Sequence, residues 1–146
     1  MRHGPCIGRD VGARTYQELE AWQLADDLRQ EVIAFLERSP ARNDFRFCNN
    51  LCDAVGSVCR NIAEGFARRR PRQFAPFVVI ALGSLAEVSD QLLEARHRGL
   101  LSASEHAQFG YLTKRARDTS EGLLRYLERA AAESERPTKP RTAKCP

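Results

Sequence analysis

The chain has 146 residues, 42% of them hydrophobic and 29% charged, with a formal net charge of +4. That length suits one domain with a real core, and the composition is ordinary for a globular protein. The longest uninterrupted apolar run, Phe77 to Leu82, is far shorter than a membrane span. The first residues, "MRHGPCIGRDVGAR", lack the apolar centre of a signal peptide. No membrane partner is therefore expected, and a cytoplasmic location follows by default.

The placement of charge says more than its sum. Residues 1–14 and 133–146 each carry a net charge of +2, so the intervening residues are neutral as a set. The pI near 9.0 thus comes from the tails and argues weakly for a nucleic-acid partner. Within the neutral part the charges are segregated. Residues 15–37 hold six acids and one arginine, whereas residues 60–72 hold five arginines and one glutamate. A protomer polarised in this way suits either a polyanion or a copy of itself.

Read in chain order, the first predicted helix covers 15–38. Thr15 and Glu18 have the spacing of a capping box, and Leu19, Trp22, Ala25, Leu28, Val32 and Phe35 recur at helical spacing. Ser39-Pro40 ends it. The second helix covers about 44–65, with Cys48, Leu51, Val55, Val58 and Ile62 on one face. Gly65 is well placed for a left-handed stop.

The third helix covers 71–98. Pro71 fits a first turn, whereas Pro76 removes a backbone bond and is expected to bend the opening turns. Phe74, Phe77, Ala81, Leu85, Val88 and Leu92 form its stripe, Gly83-Ser84 makes a small-residue notch suited to a close helix approach, and Gly99 ends the element. The fourth helix covers 103–131 behind a second capping box, Ser102 to Glu105. Its stripe is Phe109, Leu112, Ala116, Leu123, Tyr126 and Leu127. The tails 1–14 and 133–146 are rich in glycine, proline and charge and are expected to be disordered. The simplest way to bury four such stripes is an all-α, up-down-up-down antiparallel four-helix bundle over residues 15–132.

The combination of "YQELEAWQLADDL" (16–28), "NIAEGFARR" (61–69), "FAPFVVIALGSLAEVSDQLLEA" (74–95) and "GLLSASEHAQF" (99–109) resembles a bacterial family. Its members are four-helix-bundle proteins encoded by intervening sequences of 23S rRNA genes, and it includes the accessory variability proteins of diversity-generating retroelements. Trp22, Asn61, Glu64, Gly65, Gly83 and Ser84 fall on the resembling motifs and are expected to be structural. The sequence departs from the family where Cys59 and Arg60 replace the usual Pro and Ala, and in the loop "SPARNDFRF". The resemblance implies bundles that assemble into homo-oligomeric rings, typically pentamers. It also implies, for the retroelement members, basic surfaces that meet nucleic acid and a partner reverse transcriptase. No catalytic site is implied.

Against that background Arg60, Arg68, Arg69, Arg70 and Arg72 are the candidates for a phosphate-binding site on RNA or DNA. One or two cations at a helix C-terminus would satisfy its dipole; five exceed that need, and Arg72 opens the next helix, where a cation is unfavourable. Contacts of this kind give affinity without sequence specificity. The alternative is an interaction scaffold whose arginines meet an acidic partner or the first helix of a neighbouring subunit.

Other chemistry has little support. Glu94-x-x-His97 has the spacing of a di-iron motif, but such a site needs two of these and two further glutamates. Cys48 and Cys52 are one turn apart; they suit buried apolar positions better than two corners of a zinc site. Cys59 is too distant along the helix to share an ion with them. No nucleotide-binding fingerprint or triad setting is present. The expectation is a non-enzymatic protein without metal or cofactor.

Overall fold

A computed structural model describes residues 12–137. Four helices dominate: α1 (Glu20–Arg38), α2 (Phe45–Ala67), α3 (Pro71–His97) and α4 (Ala103–Ser134). Short 3-10 turns at Tyr16–Glu18 and Pro40–Asn43 precede α1 and α2. No strand occurs among the described residues. The fold is an all-α four-helix bundle in which α1 packs on α2 and α4, and α3 packs on α2 and α4.

Cross-helix contacts give the direction of each helix. Phe35 late in α1 meets Phe109 early in α4 edge to face, with ring centroids 5.8 Å apart. Phe66 at the end of α2 meets Phe74 at the start of α3 in the same way, at 6.3 Å. At the other end of this pair Gln91 of α3 donates to the Asn50 carbonyl of α2. Neighbouring helices therefore run antiparallel. The 3-10 turn before α1, the α2–α3 turn and the end of α4 share one pole, and Arg72 and Glu135 meet there at 2.7 Å.

The apolar stripes account for the interior. Leu28, Phe35, Leu51, Ile62, Leu85 and Leu92 are among the largest fully buried side chains, each contributing about 1.5–3 kcal/mol by leaving water. Trp22, Phe77, Leu112 and Tyr126 are half-buried at the edges of their stripes.

Several ends follow the sequence closely. Ser102 Oγ accepts from Glu105 N–H, and the Glu105 carboxylate accepts from Ser102 N–H, a complete capping box. Gly99 takes φ +75. Its N–H bonds Arg96 O, and Leu100 N–H bonds Ala95 O, which closes α3 in a Schellman turn. Asp44 caps α2 by accepting from Phe47 N–H at 3.0 Å.

Other expectations are corrected. The Thr15 hydroxyl makes no capping bond. Instead Glu18 turns back to accept from Arg14 N–H, and buried Leu19, in extended conformation, precedes a helix that starts at Glu20. Tyr16 folds onto Trp22, with ring centroids 5.2 Å apart, and this packing displaces the helix start. Gly65 does not stop α2; it is a buried position inside the helix, which continues to Ala67. A methyl group there would stand 2.3 Å from the Phe74 ring and 2.8 Å from Phe77 Cβ, so its missing side chain serves the α2–α3 approach. At the C-terminus α4 continues through Glu133 and Ser134, positions expected to be disordered. The tails at 1–11 and 138–146 lie outside the described residues. Pro76 lies inside α3 on its exposed face.

Candidate nucleic-acid interface

The connection between α2 and α3 is three residues, Arg68 to Arg70. Arg68 retains helical backbone angles and bonds back to Gly65 O. Arg69 takes φ 63, the left-handed region, which costs an L residue roughly 1–2 kcal/mol. Arg70 N–H reaches Arg68 O at 2.8 Å, closing a tight turn around Arg69. Arg70 is extended, as a residue preceding proline prefers. Its carbonyl then accepts from Gln73 and Phe74 N–H and starts α3.

The turn disposes the arginines unequally. Arg68 lies 3.1 Å from Glu64 on its own helix and covers the Phe77 ring at 5.1 Å. Arg72 meets Glu135 across the pole, both side chains well exposed. Arg69 and Arg70 are exposed and make no ion pair among the described residues. The turn thus groups Arg68, Arg69, Arg70 and Arg72. Arg60 stands apart, eight residues earlier and about 12 Å along α2, with its guanidinium turned back toward the Asp53 carbonyl at 3.3 Å.

Of the motif residues, Asn61, Gly65 and Ser84 occupy the α2–α3 seam, whereas Trp22 packs on Tyr16 at the start of α1. Asn61 Nδ2 donates to Ser57 O and to Ser57 Oγ, at 2.8 and 3.0 Å. Ser57 and Ser84 hydroxyls are 2.8 Å apart, and Ser84 Oγ lies 3.2 Å from Ile80 O. A hydroxyl has one proton, so one directed chain satisfies every member: Asn61 to Ser57 to Ser84 to the Ile80 carbonyl. Glu64 is held by Arg68, and Gly65 admits Phe74. Gly83, adjacent to Ser84, is exposed, with nothing within 4 Å of where a Cβ would stand.

A family model described as "23S rRNA-intervening sequence protein" matches residues 17–122. The chain belongs to that family. In this intervening-sequence protein the matched stretch runs from the 3-10 turn before α1 into α4, so it includes the arginine turn and the serine seam. None of the curated proteins compared matches the chain.

The remaining candidate groups are accounted for within the protomer. Glu94 pairs with Arg98, which also meets Asp44 at 2.7 Å and covers the Phe47 ring. The Phe47 N–H first, and Arg98 next, hold the Asp44 carboxyl below its ordinary value of 3.8. Cys48 Sγ donates to Ala41 O at 3.1 Å. Burial raises the Cys52 thiol and pushes Cys59 up to about 11, so both favour the neutral form. Among the described residues no three His, Cys, Asp or Glu side chains converge on a metal position. Cys6 and Cys145 lie outside the described residues.

The Asp44–Arg98 contact and the Arg72–Glu135 pair escaped sequence reasoning. Each joins residues more than fifty positions apart, and no local spacing signals such a contact. The capping role of Asp44 was legible, because an Asp directly before an apolar-periodic run is an N-cap signal.

Proposed function

We propose that this protein is a cytoplasmic, non-enzymatic accessory protein that binds RNA or DNA through the α2–α3 arginine turn, without strong sequence specificity, and that it assembles as a ring, with five members the expected number. The observation that carries this reading is that Arg69 and Arg70 stand exposed on a three-residue turn without a carboxylate partner among the described residues. Arg69 retains a strained backbone angle there. A glycine would relieve the strain, so an arginine at that position favours a role for its charge. The ion pairs of the neighbouring Arg68 and Arg72 are exposed and exchange cheaply for phosphate, although Arg68 also rests on the Phe77 ring. Free thiols at Cys48, Cys52 and Cys59 fit a reducing compartment.

The second reading is a scaffold whose arginines meet acidic protein, either a neighbouring copy or a partner such as a reverse transcriptase. It is favoured by the exposed carboxylates Asp27, Glu31 and Glu37 along α1.

One experiment separates the two. Replacing Arg68, Arg69 and Arg70 together by Gln is expected to leave helix content unchanged and to lower affinity for mixed-sequence RNA and DNA at least tenfold. The slope of log affinity against log salt, about −0.9 per neutralised phosphate on duplex DNA, should flatten by roughly two to three such contacts. Unchanged affinity and slope would refute the nucleic-acid role. Loss of the oligomer instead would establish the scaffold reading.

A further inference from the structure

Helix α3 has more apolar surface than the bundle covers. An 18-residue window within it has mean hydropathy 1.4, long and apolar enough by those measures to cross a membrane, yet only 28% of that window is buried. The uncovered part is ordered. Arg72, Pro76, Val79, Gly83, Ala86 and Asp90 are all exposed, and their spacing alternates four and three, the seam of a coiled coil. Val79 and its neighbour Ile80 are 53% and 52% exposed. Gly83 at the middle leaves open space above the backbone.

The geometry points to a second copy of α3 as the occupant, packed antiparallel across a two-fold axis at position 81. In that register the stripe is complementary to itself. Antiparallel pairing about Ala81 sets Val79 over the partner's Gly83, large side chain into vacant space. It sets Pro76 beside the partner's Ala86 and Arg72 opposite the partner's Asp90. A parallel pairing would set Arg72 against Arg72 and Asp90 against Asp90, which is repulsive. A lipid surface fits poorly, because Glu87, Asp90 and Glu94 stand exposed along the same helix and anionic headgroups repel them. Asp90 makes no ion pair among the described residues. Arg72 has one exposed partner, Glu135, and exchanging it for Asp90 costs little. The contact is isologous and closes on two copies. It is therefore distinct from the repeated head-to-tail contact of a ring and would join two such assemblies or two protomers alike.

The test is sedimentation velocity and light scattering on the full chain, with circular dichroism as the folding control. Ala86→Arg is expected to halve the mass of the wild-type particle. Asp90→Arg alone should weaken self-association by about tenfold, which is ~1.4 kcal/mol. Adding Arg72→Asp to it should restore association, since the pair is reversed and retained. Mass unchanged by Ala86→Arg, or absence of rescue in the double charge reversal, would overturn the proposal. So would unchanged mass together with wild-type binding to anionic phospholipid vesicles that Ala86→Arg abolishes, which would assign the face to lipid. Nucleic-acid affinity is not the readout, so this result stands apart from the role of the arginine turn.

Discussion

Ser57 and Ser84 are 27 residues apart in sequence, yet their hydroxyls meet at 2.8 Å across the seam of α2 and α3. Ser84 gives its proton to the Ile80 carbonyl, so the proton of Ser57, which accepts from Asn61, has Ser84 as its acceptor. Ser84→Ala should therefore lower stability by about 1–2 kcal/mol, because it leaves a half-buried hydroxyl without its partner. The double variant Ser57→Ala/Ser84→Ala should cost less than the two single changes together, with a coupling of about 0.5–1.5 kcal/mol by denaturant titration. Additivity would mean that the hydroxyls act independently.

The two motif glycines should respond oppositely to the same methyl group. Gly65→Ala drives a Cβ into the Phe74 ring and the Phe77 Cβ and should cost about 1–3 kcal/mol through forced repacking. Gly83→Ala meets nothing and should raise helix stability by up to about 1 kcal/mol. Thermal melts of both variants at low protein concentration check the contrast; a tolerated Gly65→Ala would show that the seam yields.

These glycines also mark how far the sequence could be read. Apolar spacing identified all four helices, and the Ser102–Glu105 box and Gly99 placed two ends, because capping and helical period are local. Gly65 misled for the same reason. A glycine after an apolar run followed by arginines has the local form of a helix stop, while its actual role depends on Phe74 arriving from the next helix. Thr15 failed similarly, because Tyr16 packs on Trp22 and shifts the start of α1. At the candidate site the density of arginines was plain, but their sorting was not. Which of them are tied down depends on Glu135 and on the left-handed angle at Arg69, and neither is encoded at short range.

Arg69→Gly isolates that angle. Glycine accepts φ 63 without the Cβ clash, which outweighs its greater entropy when unfolded, so the variant should be more stable by about 0.5–1 kcal/mol. It should bind RNA or DNA more weakly at the same time. A gain in stability with unchanged binding would mean that the strained arginine serves no ligand.

Acid should loosen the caps. Asp44 and Glu105 both have carboxyls held below their ordinary values of 3.8 and 4.5, chiefly by backbone N–H groups of Phe47 and Ser102. For a depressed carboxyl the stabilisation is fully present above the ordinary value and is lost as pH falls through the folded one. Asp44→Ala should therefore be less stable than wild type at neutral pH, and the gap should narrow as pH drops below 3.8. Urea titrations across that range give the comparison; a gap independent of pH would exclude the carboxylate charge as its source.

The shared pole has a practical side for anyone handling the protein. Residues 12 and 137 both lie at the end of the bundle where Arg69 and Arg70 stand, so an affinity tag or fluorophore inserted directly at either position sits beside them and competes for the same space. The connections Pro40–Asn43 and Leu100–Ser102 lie at the far end, about 35–40 Å away for helices of α2 and α3 length. A label carried there reports on the arginine turn without touching it.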